Sequence, residues 1–438
     1  MFKLFNPFLI SDFLFRTSIY KYFKIFKNES TKERQEILSI QNQKLLNILK
    51  FATNNIPFYQ DLKIDIDKTK KCEDILREFP IINKKLINND IKLFHVKEID
   101  LKDITTLYSG GSSGNPGKVL VNKEDHSKLR ALILVLWENS GYQLGDPILQ
   151  LGMSRNRSLL KKLKDISMNV TYEEAFRLTE AQVKHVLTRK YIKPNTCFIG
   201  YASGLYEYAR IAQKLGIEVS FKCVISLGDK MFDHYRSKIE KVFKTRVFDT
   251  YGSNEGFVVG GQHIDGHYYV NDTHVILEVV DENYNNLNDG QAGRVLMTCL
   301  DNYTMPLIRF DIGDIIALNP YSDQTPLPYK TIKSITGRDL DILKTKNGYS
   351  LIVHFFTAVI GRITEIEQFR VVQETIEDIC IEYIPSMNFK KEILEYIEIQ
   401  IMNELPPNEV KLHFRLVNEI PTSGSGKPQI ISSLLLSS

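Results

Sequence analysis

Apolar side chains recur along this chain in two rhythms. Between residues 34 and 52, Ile37, Ile40, Leu45, Leu46, Ile48, Leu49 and Phe51 return at near-helical spacing, and the run stops before Asn54-Asn55 and Pro57. That spacing predicts an amphipathic helix. From about 104 to 340 the pattern shifts to short β-rich runs, among them 147–151, 221–227, 245–248 and 275–280, with helix candidates at 124–139 and 203–215 between them. Strand-length runs alternating with helix-length ones predict an α/β body with several sheets. No fixed-period repeat is visible.

Beyond Gly337 the pattern changes again. A short β-like run at 340–343, a turn at Lys346-Asn347-Gly348 and a helix candidate at 353–361 come first. Runs at 368–373 and 378–384, a helix candidate at 388–404, a run at 410–416 and a glycine-rich loop at 420–427 follow. About 100 residues of this kind make a small α+β unit of ordinary domain size. The expected architecture is therefore a large multi-sheet N-terminal α/β domain, residues 1–336, a hinge at 337–341, and a small mobile α+β C-terminal domain, residues 342–438.

The first 28 residues are rich in Phe, Ile and Leu, but Lys3, Asp12, Arg16 and Lys21 interrupt them and no small-residue cleavage site follows. No span approaches the roughly 20 apolar residues that cross a bilayer. An amphipathic helix docked on the protein's own body is the favoured reading, with peripheral membrane contact through residues 1–28 as the alternative.

Composition narrows the partners. At 438 residues, with 43% hydrophobic and 25% charged residues, the chain has apolar material for more than one core. Its 56 basic and 53 acidic side chains are spread along the whole length, unlike a nucleic-acid footprint, so a small-molecule partner is expected. The five cysteines are far apart and form no CxxC pair, which fits a reducing cytoplasm rather than a disulfide or zinc framework.

Five segments could carry chemistry. In 108–118, Tyr108-Ser109-Gly110-Gly111-Ser112-Ser113-Gly114-Asn115-Pro116-Gly117-Lys118, glycines let backbone amides approach an anion and hydroxyls add donors. A polar turn explains that composition equally well, and the spacing is not that of a Walker loop. In 249–256, Asp249-Thr250-Tyr251-Gly252-Ser253-Asn254-Glu255-Gly256, a carboxylate on a glycine-flanked turn past a strand suits magnesium, and Tyr251 offers a flat face to a base. Residues 305–314 end on Asp314, able to accept two ribose hydroxyls, and 337–341 carry Arg338, a forked donor. The fifth, 421–427, ends on Lys427, whose compact charge can reach a carboxylate and a phosphate together.

In this order, the five segments resemble the acyl-CoA synthetase, adenylation-domain and luciferase superfamily, and within it the phenylacetate-CoA ligase branch with its CapK-type, capsular-polysaccharide-associated members. Ile56-Pro57-Phe58-Tyr59, Phe79 to Lys84, Gly200 to Tyr206 and the ending Lys427 to Ser432 extend the likeness, which covers roughly residues 40 to 432. The resemblance implies an AMP-forming acid ligase using ATP and Mg2+, with CoA a candidate co-substrate. It implies that Ser109, Gly110, Gly111, Ser112, Ser113 and Gly114 hold the β- and γ-phosphates and that Glu255 binds magnesium. Gly228, Asp229, Tyr251 and Gly252 would line the nucleotide site, Asp314 would hold the ribose, Arg338 would contact the nucleotide near the hinge, and Lys427 would bridge carboxylate and α-phosphate. Asn115, Thr422 and Leu340 depart from the residues usual in the superfamily.

The expected reaction is activation of a carboxylic acid to an acyl-adenylate, then acyl transfer to a thiol or amine. Two alternatives stay open: an adenylyltransferase that leaves AMP on its substrate, like coenzyme F390 synthetase, and a non-catalytic, membrane-surface component of polysaccharide assembly.

Overall fold

The computed structural model describes residues 7–437 apart from 67–68, 99–100, 109–116, 153–157, 176–177, 191, 339–341, 348–349, 353–355, 357–358, 361–362, 364, 404, 406–408 and 422–429. Its larger sheet runs, in spatial order, Tyr268–Val270, Val258–Gln262, Val247–Gly252, Cys223–Leu227, Cys197–Tyr201, Ile148–Gly152 and Val170–Glu174. From Val247–Gly252 to Val170–Glu174 every neighbour is parallel. Parallel neighbours need crossover connections, and Leu159–Ser167, Glu180–Leu187, Ala202–Lys214 and Asp233–Phe243 are those helices.

Why these strands read as unbroken apolar runs is now plain: both faces are covered. Cys197, Ile199, Cys223 and Ile225 face a cluster with Leu132, Leu136 and Trp137 of helix Lys123–Glu138. Their alternates Phe198 and Val224 face Leu205, Tyr208, Ala212 and Phe243 on the other side.

The second sheet is built on Phe310–Leu318, which pairs directly with Ala292–Cys299, Ile332–Arg338 and the short parallel strand Ile82–Asn83, while Val275–Val280 lies outside Ala292–Cys299. The two sheets share one cluster, in which Tyr251 and Val259 of the first, with Phe257 from the turn between their strands, meet Val295, Met297, Phe310 and Ile316 of the second.

Residues after the second sheet form a hairpin, Ile342–Lys344 with Ser350–Ile352, and a sheet ordered Lys411–Leu416, Asp378–Pro385, Ile366–Gln373, Ile431–Ser433. Helix Glu392–Asn403 buries Ile397 and Ile401 in the same cluster as these strands. That cluster also takes in Phe232, from the loop preceding helix Asp233–Phe243 of the large body.

Most elements match the periodicity. The 34–52 pattern becomes helix Arg34–Asn55, extending through the asparagine pair to Ile56, whose extended backbone precedes Pro57. The hairpin after Gly337 was expected only as one run and a turn. The 353–361 helix candidate and the 420–427 loop lie largely outside the described residues. In place of one N-terminal helix there are two, Pro7–Phe15 and Ile19–Glu29. The break is held by Asp12, whose carboxylate accepts from the Ile19 and Tyr20 amides at 3.0 and 2.8 Å, capping the second helix. Phe8, Ile19, Tyr22, Phe23 and Phe26 are buried in the cluster with helix Lys123–Glu138, so one face does dock on the body. Among the described residues no helix is long and apolar enough to cross a membrane.

A charge network fastens that N-terminal layer. The two ring nitrogens of His274 face carboxylates: Nδ1 lies 2.5 Å from Asp301 Oδ2 and Nε2 3.5 Å from Glu29 Oε2, while Lys44 Nζ is 3.0 Å from Glu29. Burial pushes the Asp301 carboxyl up, but His274 and Lys44 outweigh it and hold the group down at about 2. A carboxyl depressed below its unfolded value stabilises the fold above about pH 4, and that contribution is lost as pH falls toward 2. Asp301→Asn should therefore cost about 2 kcal/mol at neutral pH and flatten the acid limb between about pH 4 and 2. Urea titrations at pH 7, 4 and 3 check this; equal destabilisation at all three would show that the charge of Asp301 is not what matters.

Candidate active site

Strands in an open parallel sheet present their C-terminal ends, and the loops beyond them, along one edge. On that edge, strand Val247–Gly252 runs into the glycine turn. The Ser253 amide donates to the Phe257 carbonyl at 2.8 Å and the Gly256 amide to the Ser253 carbonyl at 3.1 Å. A Cβ on Gly252 would stand 2.5 Å from the Phe257 oxygen, and Gly256 has φ +95°, so both positions need glycine. The turn holds Glu255 in a buried position, 8% exposed. Within it the Ser253 hydroxyl is buried and makes no hydrogen bond among the described residues. Hydrogen bonding normally satisfies such a group, so an oxygen-rich ligand fits here.

Strands Ile104–Tyr108 and Lys118–Asn122 pair as a hairpin with Tyr108 opposite Lys118. Leu107 Cδ1 is 3.3 Å from where a Cβ on Gly256 would lie, which puts the end of this hairpin that carries the Tyr108–Lys118 pair beside the Glu255 turn. Ser109, Gly110, Gly111, Ser112, Ser113 and Gly114 lie outside the described residues, as does Lys427.

The second sheet closes the site. The Tyr251 hydroxyl donates to Asp314 Oδ2 at 2.8 Å, crossing from one sheet to the other. In the ladder between Phe310–Leu318 and Ile332–Arg338, Asp314 pairs with Arg338 and Ile315 with Gly337, whose φ is +105°. Lys230 Nζ donates to the Thr336 carbonyl at 2.9 Å, tying the loop after strand Cys223–Leu227 to the same strand. Tyr251, Asp314, Arg338 and the Gly228–Lys230 loop thus converge, with Glu255 four residues beyond Tyr251.

Asp229 is engaged in a way its sequence position did not announce. Its carboxylate accepts from the amides of Ala202 and Ser203, the latter at 3.1 Å, and from the Ser203 hydroxyl, capping helix Ala202–Lys214 from a neighbouring loop. Gly228, at φ +78°, makes the turn into it.

Beneath the site lies Asp249, whose carboxylate accepts from the Ser226 hydroxyl; the Thr250 hydroxyl donates to the Ser226 carbonyl at 2.7 Å. Burial pushes Asp249 up to about 6 in spite of that bond and the nearby Arg236. The Tyr268 hydroxyl is buried without a partner among the described residues, and burial, then the charge of Asp249, raises it well above the usual phenol range.

The overall geometry can be set beside known proteins. Residues 343–433 match the CapK C-terminal domain family. A comparison with curated protein sequences finds no match. Among solved structures, 2-hydroxyisobutyryl-CoA ligase in its postadenylation state, in complex with R3-HIB-AMP, is similar over 92% of this chain and 91% of its own, at TM-score 0.73 and 17% identity. This chain has the fold of the adenylate-forming ligases, with a CapK-type C-terminal domain. The same ligase with 2-HIB-AMP and CoA in the thioesterification state gives TM-score 0.59 at 15% identity, covering 93% and 92%. ATP-bound MatB from Rhodopseudomonas palustris gives 0.55 at 12% identity, over 77% of this chain and 69% of its own. At such identities the likeness is one of fold.

Sequence reasoning on this adenylate-forming fold missed three contributors: the Ser226–Asp249 pair, Lys230 and Phe232. Asp249 stood in the second segment without a role. Its signal was a carboxylate at the end of a buried strand, where charge is costly unless paired.

Because Asp249 is raised from 3.8 to about 6, it favours the fold at low pH and loses that contribution as pH rises through about 6. Asp249→Asn should raise the melting temperature at pH 8 relative to the parent and leave it nearly unchanged near pH 3, below the unfolded value. A uniform drop at both values in a calorimetric scan would mean that the carboxylate is needed in its charged form.

Proposed function

We propose that the chain activates a carboxylic acid with ATP, forming an acyl-adenylate and pyrophosphate, and then passes the acyl group to a thiol or amine. The observation that carries this reading is the convergence of Tyr251, Asp314 and Arg338 beside the Glu255 turn, on the edge where such folds bind ligands. The five segments read from the sequence supply the matching roles.

Tyr251 and the Gly228–Asp229 turn would flank the adenine, and Asp314, already oriented by the Tyr251 hydroxyl, would accept from the ribose. Arg338, held opposite Asp314, would contact the nucleotide. The 109–114 loop, leaving the hairpin beside Gly256, would take the β- and γ-phosphates. Glu255 would hold a magnesium ion that neutralises phosphate charge; among the described residues no cluster of three His, Cys, Asp or Glu forms a cage, and one carboxylate suits an ion that keeps waters and phosphate oxygens. One oxygen of the acid's carboxylate attacks the α-phosphorus, the new O–P bond forms, and the bond to pyrophosphate breaks. Lys427 would offset charge between the two groups.

Residues 1–336 would be the nucleotide- and acid-binding domain, 337–341 the hinge and 342–438 the mobile domain carrying Lys427. The TM-score falls from 0.73 to 0.59 between two states of one ligase at nearly equal coverage, which supports an arrangement of parts closer to the postadenylation one. CoA, which that ligase binds, is one candidate acceptor. The other candidate is an amine in surface-polysaccharide assembly, which the sequence resemblance to CapK-type members implies.

Acid-dependent exchange of labelled pyrophosphate into ATP tests the reading, and a panel of acids identifies the substrate. Lys427→Ala should lower exchange by roughly a hundredfold to a thousandfold, while acyl transfer from supplied acyl-adenylate to the acceptor persists. Absence of exchange across the panel together with no ATP binding in calorimetry would sink the proposal, and AMP retained on the product would favour an adenylyltransferase.

A further inference from the structure

We infer that the exposed apolar face made by helices Pro7–Phe15 and Leu159–Ser167 is a docking surface for an anionic lipid bilayer. Crossover helices in a parallel sheet ordinarily turn their apolar side chains toward the strands. Leu159–Ser167 does the opposite: none of its residues is buried, and Leu159, Leu160, Leu163 and Ile166 are 58–79% exposed. The neighbouring helix Pro7–Phe15 buries Phe8 but leaves Leu9, Phe13 and Leu14 outside, Phe13 at 85% exposure. The two helices touch, and Lys164 Nζ lies 5.9 Å from the Phe15 ring centroid, so the leucines and the phenylalanine belong to one patch. Scattered apolar side chains on a surface mean nothing, but a contiguous set on two adjoining helices marks an interaction face.

Charge identifies the partner. Lys161 and Lys162 stand among the leucines, and Arg16, Lys21 and Lys24 are exposed on the adjoining N-terminal segment. Two of the nearby carboxylates are occupied: Asp12 caps helix Ile19–Glu29, and Glu29 pairs with Lys44 at 3.0 Å. Leu and Phe on one face with lysines around them is the pattern of a surface that lies in the headgroup region of a membrane. A second copy of the chain is a poorer fit, because a two-fold contact would set the same lysines against one another.

The placement has a use. Strand Ile148–Gly152 is parallel to Val247–Gly252 and three strands distant from it, roughly 14 Å in strand spacing. The helix that follows it, Leu159–Ser167, therefore starts on the edge of the sheet that holds Tyr251. A docked molecule would present that edge close to the lipid, whatever reaction it carries out, so the inference stands apart from the catalytic reading.

The test uses the full chain and sucrose-loaded vesicles, either phosphatidylcholine alone or with phosphatidylglycerol. The protein should sediment with the anionic vesicles, release as salt is raised from 0.1 to about 0.5 M, and stay in the supernatant when the vesicles are neutral. Leu160→Ser with Leu163→Ser, and separately Phe13→Ser, should weaken binding by roughly tenfold or more, with melting temperature and nucleotide binding unchanged because these side chains are exposed. Lys161→Glu with Lys162→Glu should weaken binding to anionic vesicles and flatten what salt response remains. No sedimentation with anionic vesicles, equal binding to neutral ones, or substitutions without effect would each overturn the inference. So would a dimer in light scattering that the leucine substitutions dissolve, since the face would then serve self-association.

Discussion

The hydrogen bond from the Tyr251 hydroxyl to Asp314 is the point on which the candidate site turns, because its two ends belong to different sheets. A bond of this kind contributes only about 1 kcal/mol net, and the apolar cluster around Tyr251, Phe257 and Phe310 does most of the joining. What the bond adds is direction. It orients the Asp314 carboxylate, and the backbone of Asp314 lies opposite that of Arg338 in the ladder, so three residues far apart in sequence are brought together by one contact and one register. The glycine turn depends on the same strand, since Glu255 sits four residues past Tyr251.

Much of this was legible beforehand, and the exceptions share a cause. Periodicity located helix Lys123–Glu138 and strands such as Val275–Val280 closely, because one-face burial and two-face burial leave different patterns. The short segments carrying Tyr251, Glu255, Asp314 and Arg338 were recognisable for the chemistry their side chains offer. Phe232 was not, since an aromatic residue before a helix reads alike whether it packs on its own domain or enters another's core. The leucines of 159–167 were opaque for the same reason. An amphipathic helix has one spelling whether its apolar stripe is covered or bare, and coverage is a property of the neighbours. The role of Asp229 as a cap across a loop, 26 residues from Ser203, also escapes local pattern.

Two half-buried carboxylates show how environment, not residue type, sets the charge. Asp301 sits against His274 and Lys44, which hold it down at about 2, whereas Asp249, half-buried beneath the candidate site with Ser226 as donor, is pushed up to about 6. One fastens the N-terminal layer. The other is ionised at neutral pH at a cost to the fold, because its raised value favours the protonated form that exists only below about pH 6.

Phe232 is contributed by the large body to the core of residues 343–433, where it is 4% exposed. Any swing of those residues must first withdraw the ring, and exposing a phenylalanine costs about 2 kcal/mol. Set against a two-state equilibrium, that is about a thirtyfold preference for the docked position. In any such swing the ring would act as a detent, weak enough for a ligand's binding energy to override and stiff enough to favour the docked position without one.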